Sequence, residues 1–380
     1  MNHSVAPEIR ELIAAVRKFL EREVLPLDEA NHDLVASGEM NNEFFELCRQ
    51  VMRKSVDAGF FAMFMPPDVG GQGLGEYEMC LVREEVSRTG THLAMLMLGD
   101  LPFGPNKMLY ALCNEEQREK YLLPLIRGEK TTGIALTEPD AGSDLAAIRT
   151  SARKTADGYV LNGMKHYISN APFADFLQVL AKTDGGYSML LVDRDAYRVG
   201  DVQRSMGGDD IQAEVYFDDA LVPEASLIGD EGQAFKYAME FLSNERLTMA
   251  SFSIGMADLA LRLAKNYAKE RVAFGKPIFE NQAIQWMIAD SETELYAARA
   301  MCYDAAQRAD AGEPVFKEIS MTKLYCTEMV GRVVDRCVQI FGGAGYMRGN
   351  PVERLYRLAR VMRIAGGSSE IQRMIIARSS

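Results

Sequence analysis

The sequence has 380 residues, of which 48% are hydrophobic, 25% charged and 9% aromatic. These fractions are typical of globular proteins and exclude a disordered chain, a collagen-like repeat and a small disulfide-stapled scaffold. At about 150 residues per domain, this length predicts two or three domains. The 42 Lys and Arg against 54 Asp and Glu leave a net charge of −12. That charge disfavours nucleic-acid binding, because the phosphate backbone is also negative.

The spacing of cysteine and histidine shows neither a disulfide framework nor a metal site. The six cysteines are scattered without CxxC spacing and lie in apolar, helical-looking segments, so we expect reduced, structural thiols. The four histidines are far apart and form no HExxH pair. We therefore expect no metal ion.

The N-terminal segment lacks the cationic start and short apolar block of a secretory signal. The longest uninterrupted apolar block, Gly59–Met65, is too short to cross a bilayer. We therefore expect a cytoplasmic protein that does not enter a membrane.

The first section of the chain, residues 1–128, has the period of amphipathic helices. Helices are predicted near residues 7–24, 42–58, 76–89 and 115–126. We expect this section to form an N-terminal all-α domain.

The middle section, residues 129–225, changes to the period of β-strands. The predicted strands include Ile134–Thr137, Tyr159–Leu161, Tyr187–Val192 and Val215–Phe217. The dipeptides suited to tight hairpin turns are Asp157-Gly158, Asn162-Gly163 and Asp184-Gly185. We expect an antiparallel β-domain.

The last section, residues 226–380, returns to the helical period. Long helices are predicted near 233–271, 281–310 and 315–341, and shorter ones near 351–362 and 369–378. Helices of this length are typical of a bundle, so the predicted fold class is α+β with a C-terminal helical bundle. The order of sections argues against a doubly wound nucleotide-binding sheet.

Five segments carry residues suited to binding or chemistry. They are Leu136–Asp144, Lys165–Asn170, Arg271–Ile278, Gln339–Tyr346 and Gly366–Arg373. The first could offer hydroxyls and backbone N–H groups to a phosphate or a ring, and the last could point the N–H groups of a Ser-capped helix at an anion. Each also fits a plain structural role as a turn, a helix end or a core aromatic, and composition alone does not separate the two.

In this order and spacing, the five segments resemble the acyl-CoA dehydrogenase family. The most specific stretches are ALTEPDAGSD, RVAFGKPI and QIFGGAGY, and the resemblance covers essentially the whole chain. It implies a flavoprotein with FAD lying between the β-domain and the helical bundle. It also implies that a neighbouring subunit completes the site, in a homo-oligomer built as a dimer of dimers.

The same resemblance implies which residues bind FAD. Leu136, Thr137 and Ser143 match positions at the flavin ring and pyrophosphate, and Ser143 is also assigned to the substrate. Tyr167, where the family usually has Trp, and Ser169 match positions beside the ring. The remaining expected FAD residues, most of them at the adenine end, are Arg271, Phe274, Gln282, Gln339, Gly343, Ser368 and Glu370.

The reaction of this family removes the proton α to a thioester and passes the β-hydrogen as hydride to flavin N5, which requires a carboxylate over the substrate. Many members carry that Glu at the position of Gly366. Members similar to isovaleryl-CoA and long-chain acyl-CoA dehydrogenases carry it earlier, in a segment resembling Asn244-Glu245-Arg246-Leu247. We therefore expect Glu245 to be the catalytic base.

Helical spacing places Glu245 in an apolar stripe with Phe241, Leu242, Met249 and Phe252. Desolvation there would raise the pKa of the carboxylate, which suits a general base. The alternative is a structural Glu paired with a distant Arg or Lys across a helix interface.

The residues near the expected base carry further implications. Arg246 matches a residue that contacts the CoA arm, although a solvated helix charge is the alternative. The N–H of Gly366 would activate the thioester carbonyl. Ala365 replaces a large aromatic of several straight-chain members, which indicates a branched or cyclic acyl group. The implied electron acceptor is an electron-transfer flavoprotein.

Three functions remain open at this stage. The first is FAD-dependent dehydrogenation of an acyl-CoA, and the second is the reverse reaction of an enoyl-CoA reductase, or action on an acyl carrier or cyclic acid. The third is a non-catalytic, FAD-binding partner subunit. The complete set of flavin motifs and the presence of Glu245 speak against the third.

Overall fold

The structure is a computed structural model that describes residues 5–37, 41–100, 103–208 and 211–379. Within these ranges, the side chains of 36, 92 and 238–244 lie outside the description. Phe241 and Leu242, two of the predicted apolar neighbours of Glu245, fall in that last group.

The N-terminal section is helical, as predicted. Helix α1 (Pro7–Phe19) starts with proline, whose missing N–H is no loss in a first turn. It continues through a π-helical turn at Leu20–Val24, a local geometry that the sequence period does not predict. The following helices are α2 Leu25–Ala30, α3 His32–Ser37, α4 Asn42–Asp57, α5 Glu76–Ser87, α6 His92–Leu96, α7 Lys107–Leu112, α8 Glu115–Gln117 and α9 Leu123–Ile126.

The middle section forms an eight-stranded sheet. Its strands are β1 Thr132–Ala135, β2 Ser151–Thr155, β3 Gly158–Ser169, β4 Phe176–Thr183, β5 Gly186–Asp193, β6 Arg198–Gln203, β7 Gln212–Val222 and β8 Leu227–Ile228. They are ordered β6-β7-β3-β2-β4-β5-β8, with β1 beside β4. The sheet is mainly antiparallel, as predicted, and β4 pairs in parallel with both β1 and β2.

Two of the three predicted hairpin turns are confirmed. β2 and β3 join at Asp157-Gly158, and β4 and β5 join at Asp184-Gly185. The third, Asn162-Gly163, is wrong, because both residues lie inside β3 at a register shift against β7. A β-carbon on Gly163 would lie 2.7 Å from the Thr150 Cα atom, so this position needs glycine for close backbone approach rather than for a turn.

The last section is helical, with its predicted helices in place. They are α10 Ala234–Glu270, α11 Gln282–Asp310, α12 Phe316–Phe341, α13 Gly343–Tyr346, α14 Pro351–Met362 and α15 Ser369–Arg378. A small hairpin, β9 (Val272–Ala273) with β10 (Lys276–Pro277), separates α10 from α11.

The packing groups the chain into two units. The helical unit takes its residues from Met1–His32, Leu74–Met95 and Ser243–Ser380, and the sheet unit takes its residues from Asp33–Gly73 and Leu96–Leu242. Each unit therefore collects segments distant in sequence, and the division into domains 1–128, 129–225 and 226–380 stays a prediction.

Residues Glu245–Glu270 of α10 are long and apolar enough to cross a membrane, and 78% of the 18-residue apolar window within them is buried inside the protein. Its neighbours in the core of the helical unit include Leu295 of α11 and Val330 of α12. Burial of this kind is what a central helix of a bundle requires. The six cysteines are all free and buried.

Candidate active site

The loop after β1 carries the first expected flavin residues, Leu136, Thr137 and Ser143. Leu136 and Thr137 are half-buried, whereas Ser143 is exposed. The Thr137 carbonyl accepts a hydrogen bond of 2.9 Å from the His166 N–H, which ties the loop to β3. A β-carbon on Gly142 would meet nothing within 4 Å, so the loop borders open space.

A buried ion pair holds this loop. Lys165 Nζ donates to Glu138 Oε1 at 2.8 Å and to the Leu136 carbonyl at 3.0 Å. Glu138 also accepts the backbone N–H groups of Arg149 and Thr150 at 2.6 and 2.9 Å. Despite its burial, the pKa of Glu138 is lowered by these hydrogen bonds, the one from Lys165 above all. A buried hydrogen-bond network thus holds the loop after β1.

Tyr167 and Ser169 lie at the end of β3. Tyr167 has the left-handed φ of 58° and is 61% exposed. Ser169 beside it is half-buried. An exposed aromatic face, nearby hydroxyls and the open loop at Gly142 fit a planar ring with a phosphate tail, which is the chemistry of FAD.

Arg271, Phe274 and Gln282 follow α10 in the helical unit. All three are exposed, and Phe274 projects fully into solvent from the turn between β9 and β10 with a φ of 52°. A strained, fully exposed phenylalanine is unusual in a chain that meets no partner.

Gln339 and Gly343 lie at the end of α12 and the start of α13, and both are exposed. Ser368 caps α15 by accepting the Ile371 N–H at 3.4 Å. The pKa of Glu370, in the first turn of α15, is lowered by its own backbone N–H and by Ser368. The expected FAD residues therefore fall into one group on the sheet unit and another on the helical unit.

Glu245 and Gly366 meet within the helical unit. A β-carbon on Gly366 would lie 3.5 Å from the carboxyl carbon of Glu245 and 3.7 Å from its Oε1 atom. The carboxylate on α10 thus reaches the place where a side chain at position 366 would begin. Gly366 itself has a φ of 63°, a conformation that glycine adopts without strain.

The surroundings of Glu245 raise its pKa to about 7, because burial disfavours the charged carboxylate more than Lys323 and Arg246 favour it. Phe252, one helical turn beyond Met249, is buried, and Met249 is half-buried. No ion pair or hydrogen bond among the described side chains uses the Glu245 carboxylate. The alternative, a structural Glu in an ion pair with an Arg or Lys, therefore finds no support among the described residues.

Arg246 is 2% exposed, so the alternative of a solvated helix charge is wrong. Its guanidinium carbon lies 4.9 Å from the centre of the Phe316 ring. Its Nε and Nη1 atoms have no hydrogen-bond partner within the described residues. A buried N–H donor without an acceptor destabilises the folded protein, unless a bound ligand accepts the hydrogen bond.

Two buried lysines are not among the predicted site residues. Lys165 and Lys323 are both fully buried, and each donates to a backbone carbonyl of an expected site loop. One signal was present for Lys323, because Ile319, Cys326 and Val330 share its helix face. Lys165 opens one of the five segments singled out from the sequence, but no pattern there indicates that its side chain is buried. In the described part of the chain, no group of three or more His, Cys, Asp or Glu side chains could hold a metal ion.

Comparisons with known proteins cover the whole chain. Models of the acyl-CoA dehydrogenase N-terminal, middle and C-terminal domains match residues 6–129, 133–220 and 232–380. A 3-(aryl)acrylate reductase of Clostridium sporogenes is 37% identical over 97% of this chain and 98% of its own. The caffeyl-CoA reductase-Etf complex subunit CarC of Acetobacterium woodii is 37% identical over 95% of both chains.

The crystal structure of an acyl-CoA dehydrogenase from Geobacillus kaustophilus matches with a TM-score of 0.90 and 34% identity, over 100% of this chain and 99% of that one. The match extends through the helical, sheet and helical sections in order. This chain belongs to the acyl-CoA dehydrogenase family, and it is an FAD-binding oxidoreductase that acts on CH–CH bonds.

Proposed function

We propose that this protein dehydrogenates an acyl-CoA thioester to the trans-2-enoyl-CoA, with Glu245 as the base that takes the α-proton. When FAD is bound, its N5 atom supplies the acceptor for the β-hydrogen, which leaves as hydride. The observation that carries the proposal is the Glu245 carboxylate, 3.5 Å from the β-carbon position of Gly366 and with a pKa of about 7. A base with a pKa near the working pH combines a usable ionised fraction with a strong pull on the proton.

Gly366 contributes its backbone rather than a side chain. No hydrogen bond of the described residues uses the Gly366 N–H. We assign that donor to the thioester carbonyl, because a carbonyl polarised in this way makes the α-proton more acidic. The carboxylate and the N–H donor would then act on adjacent atoms of one substrate.

Arg246 supports the acyl-CoA assignment. Its Nε and Nη1 atoms are buried without a partner among the described residues, and Phe316 covers the guanidinium. A carbonyl or phosphate oxygen of the CoA arm would satisfy these donors. Ser143, the exposed hydroxyl of the loop after β1, is assigned to the same substrate and to FAD.

A second candidate is the reverse reaction, reduction of an enoyl-CoA. It is favoured by the two relatives that are named reductases and are both 37% identical to this chain. Glu245 would then donate the proton to the α-carbon instead of removing it, since both directions share one transition state. Ala365, half-buried beside Gly366, is a small residue that leaves room for an aryl, branched or cyclic acyl group.

We infer an electron-transfer flavoprotein as the redox partner, in keeping with the Etf complex in the name of one relative. We also infer a homo-oligomer arranged as a dimer of dimers. Exposed aromatic residues of the helical unit, namely Phe274, Trp286, Tyr296 and Tyr346, suit a subunit interface. Six free, buried thiols fit a reducing compartment such as the cytoplasm.

The deciding experiment mixes the purified holoenzyme anaerobically with a panel of acyl-CoA and enoyl-CoA thioesters, including aryl and branched chains. Bleaching of the oxidised flavin by an acyl-CoA supports dehydrogenation, whereas reoxidation of the reduced enzyme only by enoyl-CoAs supports the reductase. Absence of both reactions with every thioester would point to a non-catalytic subunit.

The role of Glu245 as the base is tested with a variant of that residue and a matched control. Glu245→Gln should retain the flavin colour but lose bleaching, because the amide cannot accept the α-proton. Glu353→Gln, which removes a Glu paired with Arg357 at 2.6 Å on α14, should bleach normally. Full bleaching by Glu245→Gln would overturn the assignment.

A further inference from the structure

Lys323 on α12 is wholly buried, on the helix face that also carries Ile319, Cys326 and Val330. A lysine at such a position loses the hydration of its ammonium group, so it is retained only where other groups compensate. Burial lowers the pKa of Lys323 to about 8, and Glu245 acts in the opposite direction. Burial of the Lys323 side chain therefore costs hydration free energy, and the contacts of its ammonium group indicate its role.

The ammonium group reaches the glycine loop at the expected thioester site. Lys323 Nζ donates a 2.8 Å hydrogen bond to the Gly367 carbonyl. The loop consists of Gly366 and Gly367, whose φ angles of 63° and 88° are both left-handed. Lys323 thus ties α12 to the peptide that directly follows the Gly366 N–H.

A second side chain, Gln372, also donates hydrogen bonds to the carbonyl groups of this loop. Gln372 Nε2 donates to the Gly367 carbonyl at 3.0 Å and to the Gly366 carbonyl at 3.3 Å. Gln372 is also fully buried. A neutral amide therefore fixes the loop from α15, and the hydrogen bond alone does not explain a buried positive charge on α12.

The charged groups that face this point come from three helices. Glu245 and Arg246 belong to α10, Glu328 to α12 itself, and Glu370 to α15. Glu328 is already engaged, since it accepts from Ser369 Oγ at 2.7 Å and lies 3.4 Å from Arg363 Nε. Glu370 is exposed at the start of α15. Glu245 is the carboxylate in this group that lacks a partner among the described residues.

We propose that Lys323 is a positioning residue of the reaction: its buried ammonium fixes the Gly366–Gly367 loop beneath Glu245 and stabilises the ionised form of that carboxylate. The inference rests on the function proposed above, because it concerns the same base and the same glycine loop. Lys323 would then position both groups that act on the substrate: the Glu245 carboxylate at the α-carbon and the Gly366 N–H at the carbonyl.

The proposal has a measurable consequence in the pH dependence of flavin bleaching. Among the influences on Glu245, the charge of Lys323 lowers its pKa and burial raises it. Without the charge of Lys323, the effect of burial raises the pKa of Glu245 further, so Glu245 ionises only at higher pH. A positive charge favours the ionised form of a carboxyl group, so we expect the rising limb of the bleaching rate to move to higher pH in a variant that lacks it.

The experiment compares Lys323→Met and Lys323→Arg with the wild-type holoenzyme, using the acyl-CoA that bleaches it and a pH series. Lys323→Met should shift the rising limb to higher pH. Lys323→Arg should keep the limb close to its wild-type pH, because the positive charge remains. Lys265→Met is the matched control: it removes a half-buried α10 lysine paired with Glu292 at 2.6 Å, and its limb should not move.

A measurement without substrate keeps the proposal testable if Lys323→Met bleaches too slowly. The melting temperature is measured at pH 8 for wild type, Lys323→Met, Glu245→Gln and the double variant. Lys323→Met should lower the melting temperature more when Glu245 is present than in the Glu245→Gln background, because only then does the Glu245 carboxylate lose a favourable positive charge. Equal losses in both backgrounds would overturn the electrostatic role.

The outcomes separate this proposal from the proposed function. If Glu245→Gln bleaches as fast as wild type, the base assignment itself fails. If Glu245→Gln loses bleaching but Lys323→Met keeps the wild-type pH limb, the base stands and the role of Lys323 is wrong. A shifted limb in Lys323→Met that Lys323→Arg restores supports both.

Discussion

Lys165 donates a 2.8 Å hydrogen bond to Glu138 in the interior of the sheet unit, and neither side chain is more than 6% exposed. Lys165 precedes the expected flavin stacking residue by two positions, and Glu138 lies in the loop that carries Thr137 and Ser143. The pair therefore connects the two segments of the sheet unit that carry the expected flavin residues.

Lys165→Met should destabilise the sheet unit, because it leaves Glu138 buried without its cation. Breaking a buried ion pair from one side costs about 3–5 kcal/mol. The measurement is urea unfolding followed by circular dichroism, together with release of FAD fluorescence. Lys120→Met is the control, since its pair with Asp193 at 2.7 Å is 49% and 38% exposed and should contribute about 1 kcal/mol or less. Equal losses for both variants would contradict the prediction.

The raised pKa of Glu245 predicts the pH dependence of the reaction in each direction. Proton abstraction needs the carboxylate, so bleaching by an acyl-CoA should rise as the pH passes through about 7 and level off above it. Reduction of an enoyl-CoA needs the carboxylic acid and should fall through the same range. Stopped-flow measurement of the single-turnover rate from pH 5.5 to 9 tests both. A rate that is flat across this range would contradict the role of Glu245.

The same pKa makes a prediction about stability. Between its ordinary value of 4.5 and about 7, Glu245 binds more protons in the folded than in the unfolded protein, so stability falls as the pH rises through that window. Glu245→Gln should therefore increase the free energy of unfolding at pH 8, by at most about 3 kcal/mol, and change it little at pH 4.5. Chemical denaturation at the two pH values measures the difference. Glu353→Gln should show no gain at pH 8.

The sequence predicted the long elements well and the buried charges poorly. The bounds of α10, α11 and α12 lie within one residue of the predicted 233–271, 281–310 and 315–341, because long periodic patterns end at clear glycine, proline or asparagine signals. The pair Asn162-Gly163 is predicted to form a turn, but in the structure it lies inside β3 at a register shift, with Gly163 close to Thr150. Local sequence cannot separate these two uses of glycine.

The partners of the candidate site depend on contacts across large sequence distances. Glu245 and Gly366 are brought together by the packing of α10 near the start of α15, and family resemblance rather than periodicity singled them out. Lys165 and Lys323 pair with groups 27 and 44 residues away. A lysine in a sequence pattern is expected at the surface, and only the folded structure shows which lysines have buried acceptors.

Phe274 predicts a coupling between oligomer formation and FAD binding. Its ring is fully exposed in the helical unit and its φ is 52°. Phe274→Ser should weaken FAD binding and shift the mass measured by light scattering toward smaller species, because an apolar interface contact is lost. Leu221→Ser, which removes another exposed apolar side chain from β7, should leave both unchanged. Normal mass and FAD affinity in Phe274→Ser would contradict the assignment of this ring to an interface.

Gly366→Ala separates backbone strain from the chemistry of the site. The φ of 63° costs a non-glycine residue about 1–2 kcal/mol, and Gly312, at 75° in the turn between α11 and α12, would incur the same cost. A β-carbon at 366 would rest 3.5 Å from the Glu245 carboxyl carbon, an ordinary contact, so the variant should fold and keep its flavin colour. The added methyl group would occupy space beside the carboxylate, so acyl-CoA should bind more weakly and bleaching should slow.

Gly312→Ala supplies the matched comparison, because its β-carbon would meet nothing within 4 Å. Both variants should lose similar melting temperature, whereas only Gly366→Ala should slow bleaching at saturating acyl-CoA. Equal bleaching rates in the two variants would mean that the space beside the Glu245 carboxylate is not where the substrate reacts. In that case, the proximity of the two residues would be a feature of helix packing rather than of the active site.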